Sequence, residues 1–192
     1  MPEKAPEQVE TARLVLRRPR AADAEAIFAR YASDTEVVRY VGWPQHQTLD
    51  DTRAFLAFSE SEWEKWPGGP YVILVKVEGP TPKAHVKAEG ETLVGGTGFA
   101  FETPWRAMTG YVLAKDTWGR GYATEALRAI VDLAPSLGVR RLFAYCHAEH
   151  RPSWRVLEKG GMQREGTLRC AFEFPNLAPG EPQDVLIYSR IF

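Results

Sequence analysis

Cysteine is nearly absent: Cys146 and Cys170 are the two in 192 residues. Two thiols in a chain this long make neither a disulfide framework nor a zinc constellation, so no metal site is expected and a reducing cytoplasm is the expected compartment. An excess of charge of one sign is missing too. The 24 Lys and Arg set against 25 Asp and Glu leave a formal net charge of -1, which removes the global electrostatic handle on phosphate backbones and anionic lipid and argues against nucleic-acid binding. No apolar run approaches the ~20 residues of a membrane span, and the start MPEKAPEQVE has no stretch of signal-peptide length, so no membrane partner is expected. What is present is a 44% apolar chain of the size of one globular domain. Residues 1–8, with Pro2 and Pro6, read as a frayed tail without function, and 9–192 as a single domain.

Hydrophobic periodicity gives a mixed α/β order. Thr11–Arg18 alternates Leu14 and Leu16 with Arg13, Val15 and Arg17, the pattern of an edge or half-buried strand ended by Pro19. A short amphipathic helix is predicted from Ala21, with Ile27, Phe28 and Tyr31 at helical spacing. Thr48 before Asp50 and Asp51 predicts a capped helix start, and Pro67-Gly68-Gly69-Pro70 a stop. Tyr71–Val77 and Leu93–Phe101 read as a hairpin whose long polar tip, 78–92, is mobile. Trp105–Leu113 is a further strand, followed by a glycine-rich loop and a strong helix whose last turn Pro135 kinks or shortens before Gly138. Arg141–Cys146, the short helix Pro152–Lys159 and the strands Met162–Phe174 and Val185–Ile191 close the chain. The arginines at 13, 17, 18 and 20 read as solvated strand faces and a loop, because no interleaved aromatic pattern accompanies them.

The stretch Trp118-Gly119-Arg120-Gly121-Tyr122-Ala123-Thr124 sets two glycines between a strand and a helix start. Unpaired N–H groups and the positive end of the helix dipole converge at such a point, and glycine lets a phosphate approach the backbone. An ordinary strand-to-helix turn has the same local pattern. Two familiar phosphate loops do not fit. A P-loop needs lysine where Tyr122 stands, and a dinucleotide fingerprint needs a third glycine where Thr124 stands and an acid near Arg140 and Arg141.

GYVLAKDTWGRGYATEAL, then RPSWRVLEKGGM and REGTLR, in that order, resemble the GNAT superfamily of acyl-CoA-dependent N-acetyltransferases, in particular its RimJ/RimL branch. The opening LVLRRPRAADAEAIFARYASDTEVVRYVGW and the closing VLIYSRIF extend the resemblance over nearly the whole chain. It implies an α/β GNAT fold: a twisted, mostly antiparallel mixed sheet of about seven strands, helices on both faces, and a split at the central strands that admits acetyl-CoA. It also implies that Trp118, Gly119, Arg120, Gly121, Tyr122, Ala123 and Thr124 hold the pyrophosphate of that donor. The backbone of Tyr111, Val112 and Leu113 would hold the pantetheine and polarise the acetyl carbonyl. Preorganised main-chain donors aimed at a developing oxyanion speed acyl transfer. Many members of the branch pair as homodimers.

Several positions depart from the family. His150 stands where Asn commonly contacts the pantetheine, and Leu157 where many relatives outside the branch carry a tyrosine acid. Ser153 is the nearest hydroxyl, and because the RimJ/RimL branch places a serine here against the CoA sulfur, the resemblance makes it the candidate proton donor to the departing thiolate, although a hydroxyl near a helix start also reads as a cap. The branch often has an acid at the position of Met108, which leaves Glu102, Glu149 and Glu173 as carboxylates that could serve as base, Glu102 being the nominated one. Transfer without a base suits an amine partly neutral near pH 7, such as an α-amino group. Tyr40 and Trp43 fall where the family builds its acceptor groove, and a packing role for Trp43 is equally readable. The expected activity is direct acetyl transfer to an amine, foremost a protein or peptide N-terminus. The alternatives are a small-molecule amine, either an antibiotic or a polyamine, the latter favoured by a cleft lined by Glu36, Asp50 or Glu102, or a non-catalytic acyl-CoA sensor.

Overall fold

The computed structural model describes residues 3–76 and 91–192. Eight strands form one sheet in the order β1-β2-β3-β4-β5-β6-β8-β7. They are β1 Gln8–Glu10, β2 Leu14–Arg17, β3 Pro70–Lys76, β4 Glu91–Thr103, β5 Arg106–Leu113, β6 Arg141–His147, β7 Gln163–Phe172 and β8 Gln183–Ile191. Every pairing is antiparallel except β5 with β6. The strands β3 and β4 pair as the hairpin that their aromatic and β-branched residues predict, and most of the expected mobile tip lies outside the described residues.

The side-chain period of two feeds two cores. Leu14, Leu16, Tyr71 and Ile73 point to one face, where Leu127 and Ile130 of α3 (Tyr122–Leu133) and Leu157 of α4 (Arg151–Lys159) cover them. Val15, Val72 and Leu74 point to the other, under Ile27 of α1 (Ala24–Ile27), Tyr31, and Phe55 and Leu56 of α2 (Leu49–Lys65). The strand expected at an edge or half-buried is an inner one buried on both faces: β2 has a neighbour on each side and Val15 is as buried as Leu14 and Leu16. The extra neighbour is β1, which begins at Gln8, the last residue of the segment expected to fray. That segment is docked, with Ala5 N–H donating to Pro67 O at 2.6 Å and Tyr71 OH to Pro6 O at 2.7 Å. Three residues that gain their order from pairing carry no periodic signal of their own, which accounts for eight strands against seven.

The helix predicted from Ala21 is broken into a tight turn at Ala21–Asp23, α1, and a wide π-type turn at Phe28–Ala32. Asp23 folds back to accept from Arg20 N–H at 2.7 Å and from both terminal nitrogens of Arg17, which tightens the start. The wide turn then lets both Tyr31 and Ala32 reach the core. Thr48 caps α2 as predicted, its N–H and hydroxyl meeting the Asp51 carboxylate while Asp51 N–H returns to Thr48 Oγ1. Pro135 ends α3 at Leu133, and a tighter turn, Ala134–Leu137, runs on to Gly138. No helix among the described residues is long and apolar enough to cross a membrane.

Candidate active site

The parallel pair at the sheet's centre is short. Arg106, Ala107 and Met108 of β5 match Arg141, Leu142 and Phe143 of β6, and there the pairing stops. Beyond it β5 stays with β4, Thr109 opposite Phe99 and Leu113 opposite Gly95. Strand β6 goes with β8, Ala144 opposite Tyr188 and His147 opposite Val185. A wedge opens between Thr109–Leu113 and Ala144–His147. Along it the β6-facing edge of β5 has no ladder partner among the described residues, so its alternate N–H and C=O groups, apart from Leu113 O, which takes the Trp118 indole N–H, are open to a ligand. A cavity of about 620 Å³ fills the wedge and reaches the aromatic residues beyond it.

At one end of the wedge β5 turns into α3. Ala114 N–H donates to Val94 O, the Thr117 hydroxyl returns to Ala114 O at 2.6 Å, and the Trp118 indole N–H closes the bend on Leu113 O at 2.8 Å. Gly119 and Gly121 then take left-handed φ of 75° and 81°, a conformation that strains any residue with a Cβ. The first helical bond is Glu125 N–H to Gly121 O, and no side chain caps the start, so the N–H groups of Tyr122, Ala123 and Thr124 have no partner within the helix. Glycine loop, helix dipole and open strand edge are thus contiguous, as the motif anticipates.

Two hydroxyls stand together on the wedge wall. Tyr111 OH donates to Ser153 O at 2.7 Å and lies 3.0 Å from Ser153 Oγ. Burial pushes the Tyr111 phenol up, against the opposing pull of its Ser153 hydrogen bond, so it stays protonated. Sequence reasoning singled out the backbone of Tyr111 and missed this side chain; a phenol at a strand position has no local signal for its partner. Ser153 is three residues past the cap position of α4, which His150 occupies, and its hydroxyl makes no cap bond. Leu157 lines the cavity on the same helix. The imidazole of His150 does not line the cavity. It stacks on the Tyr40 ring at 4.5 Å, and burial, helped by His147, lowers its pKa to about 4, so it is neutral. Cys146 beneath is buried, which pushes its thiol up.

The other end is aromatic. Tyr40 and Trp43 line it with Phe55, Phe172 and Phe174. His46 also faces it, its Nδ1 2.8 Å from the hydroxyl of buried Thr52 and its ring 5.2 Å from Trp43; burial lowers its pKa against the charge of Asp51. The linker carrying these rings is pinned by Asn176, whose amide donates to Val38 O and Trp43 O at 2.8 and 2.9 Å while its oxygen accepts from Gln45 N–H. Neither Asn176 nor Phe172 and Phe174 was legible beforehand.

Asp51 supplies the charged side chain of the cavity wall, and its carboxylate is already engaged. Hydrogen bonds from the backbone of Thr48 and Gln47 and from the Thr48 hydroxyl hold it below the usual range. Glu102, nominated as base, does not reach the wedge. It sits near the β4–β5 turn, ion-paired with Arg106 at 3.0 Å, because the hairpin carries it past the open stretch of β5. Glu149 and Glu173 are exposed and also outside the cavity wall.

The acetyltransferase (GNAT) domain model matches residues 13–163, and the chain belongs to that family. It is 30% identical over 186 residues to the uncharacterized N-acetyltransferase YoaA of Bacillus subtilis, covering 95% of this chain and 96% of that one. Solved structures that share the fold include two that hold acetyl-CoA or coenzyme A. One is the microcin C7 self-immunity acetyltransferase MccE, solved with acetyl-CoA and AMP (TM-score 0.80, 18% identity, 98% of each chain). The other is RimL, a ribosomal-protein α-N-acetyltransferase solved with coenzyme A (TM-score 0.77, 20% identity, 97% and 98% of the two chains). The protein is accordingly an acetyl-CoA-dependent N-acetyltransferase.

Proposed function

We propose that this acetyltransferase moves the acetyl group directly from acetyl-CoA to a primary amine of low basicity, foremost the α-amine of a peptide or protein N-terminus, as in the RimJ/RimL branch. The observation that carries the reading is the wedge, with phosphate-type donors at one end, the Tyr111–Ser153 hydroxyl pair on its wall and an aromatic chamber at the other end.

In this reading the N–H groups of residues 119–124 hold the pyrophosphate, and the open edge of Tyr111, Val112 and Leu113 holds the pantetheine and the acetyl oxygen. The amine nitrogen attacks the acetyl carbon, the C–S bond breaks as the tetrahedral intermediate collapses, and Ser153 Oγ–H gives its proton to the thiolate. Ser153 Oγ is reprotonated from water, and the Tyr111 hydroxyl, 3.0 Å away and itself kept protonated, orients it. The ammonium proton formed by attack leaves to water. No covalent acetyl-enzyme is needed, and the raised Cys146 thiol is poorly suited to form one.

The chamber supports an α-amine over a lysine or a polyamine. Its carboxylate is occupied and burial lowers the proton affinity of its imidazole, so it supplies little to deprotonate or hold a strongly basic cation. An α-amine of pKa about 7.7–8.0 is partly neutral near pH 7, whereas a lysine at about 10.4 is not. The acids that would make a polyamine cleft are paired elsewhere: Glu36 with Lys115, Asp50 with Arg53, Glu102 with Arg106. Thiol release from acetyl-CoA tests the reading, using one apolar-headed peptide with a free N-terminus, the same peptide N-terminally blocked but containing lysine, and spermidine. Release with the free N-terminus alone is expected. Release with spermidine alone would move the assignment to a small-molecule amine, and acetyl-CoA binding without release to any amine would make the chain a sensor.

A further inference from the structure

Arg13 reads from sequence as a solvated strand residue, yet it is the most heavily engaged cation near the glycine loop. Its Nε and Nη2 meet Glu125 Oε2 at 2.7 and 2.6 Å, and its Nη1 donates to Arg120 O at 2.9 Å. Its backbone N–H donates to Glu125 Oε1 at 2.8 Å, an oxygen that also accepts from the Thr11 hydroxyl at 2.6 Å. The guanidinium lies 4.8 Å from the centre of the Tyr122 ring. One arginine at the mouth of β2 thus grips residues 120, 122 and 125, on both sides of Gly121 with its left-handed φ of 81°.

We propose that Arg13, with Thr11 and Glu125, is a positioning brace that sets the shape of the phosphate-binding loop before acetyl-CoA arrives. The proposal rests on the reading that residues 119–124 hold the pyrophosphate. Its physics is local. Two glycines at positive φ leave the loop many alternative shapes, and ordering them at the moment of binding opposes affinity. In a planar trans peptide the C=O and N–H point in opposite directions, so tying Arg120 O to Arg13 fixes the direction of the Gly121 N–H. The carboxylate of Glu125 in turn holds the arginine fork flat. Burial pushes that carboxyl up, but hydrogen bonds from Thr11 and Arg13 more than offset it and keep it ionised. A lysine could keep the charge but could not bridge Arg120 O and Glu125 together.

The test compares two donors that differ in the pyrophosphate. Calorimetric titration of the full chain with CoA is combined with kcat/KM for acetyl-CoA and for S-acetylpantetheine, in the parent, Arg13→Lys and Thr11→Val. For Arg13→Lys the CoA Kd is expected to rise about tenfold and kcat/KM for acetyl-CoA to fall alike, with kcat at saturation and kcat/KM for S-acetylpantetheine within about twofold of the parent. Thr11→Val, which removes one bond to Glu125, is expected to shift the same quantities about threefold. An unchanged CoA Kd in Arg13→Lys, or an equal loss with both donors, overturns the brace while leaving the proposed function standing. A parent that binds no CoA overturns both.

Discussion

At the end of the wedge proposed to hold the donor, contiguous backbone does the shaping: β5, a bend closed by Trp118, two left-handed glycines and the first turn of α3 follow one another between Arg106 and Glu125. At the acceptor end, side chains from distant parts of the chain meet. Asn176 pins the Val38–Gln45 linker across more than 130 positions, and Phe172 and Phe174 complete the wall that Tyr40 and Trp43 begin. A loop that must present N–H groups to a fixed ligand is built locally, and few residue types satisfy it. The chamber proposed for the acceptor is assembled by long-range packing instead, which is open to change without altering a loop built locally.

Substitutions can separate the two ends. Ser153→Ala, between them, is expected to show the largest effect: kcat reduced about a hundredfold with KM for both substrates nearly unchanged, read by steady-state thiol release. A Ser153→Ala enzyme of parental kcat would remove the hydroxyl from the chemistry. Asn176→Ala should loosen the acceptor end alone. Three hydrogen bonds to the linker are lost, so unfolding stability should fall by about 2 kcal/mol and acceptor KM should rise, with the CoA Kd unmoved. A shifted CoA Kd would mean that the ends are coupled.

His150 links the ends by stacking on Tyr40 while starting α4, and it gives the protein an acid sensitivity of known sign. Its folded pKa is about 4 against an ordinary 6.5, so below about pH 6.5 the unfolded chain takes up a proton that the folded chain refuses. Stability is fully present above that pH and declines as pH falls toward 4. Chemical denaturation should show His150→Asn losing less stability between about pH 7 and 5 than the parent, by on the order of 2 kcal/mol. Equal losses would mean that the ring is not held neutral. The smallest effect expected is that of Gly121→Ala, where a Cβ forced into left-handed φ costs about 1–2 kcal/mol and would lie 3.4 Å from Arg13 Nη2. Acetyl-CoA KM should rise about tenfold, with acceptor KM constant.

These contrasts also mark what the sequence disclosed. The glycine turn into α3 was legible because strand, turn and helix signals adjoin it, and the Thr48 cap and the Pro135 break were legible for the same reason, whereas Ser153 was singled out through the family resemblance and its position beside Tyr111 had no local signal. The docked residues 3–8, the inner position of β2 and the Arg13 grip on Glu125 were not, since each depends on a partner far along the chain. Glu102 shows the opposite failure: a plausible acid close in sequence to the open part of β5, which the hairpin carries out of reach and pairs with Arg106.

In the proposed reaction donor and acceptor occupy the wedge together and react directly at the Tyr111–Ser153 pair. Initial rates measured over a matrix of acetyl-CoA and free-N-terminus peptide concentrations test it most directly. Intersecting double-reciprocal lines are predicted, as for a ternary complex. Parallel lines, the mark of an acetylated enzyme formed and discharged in turn, would contradict it.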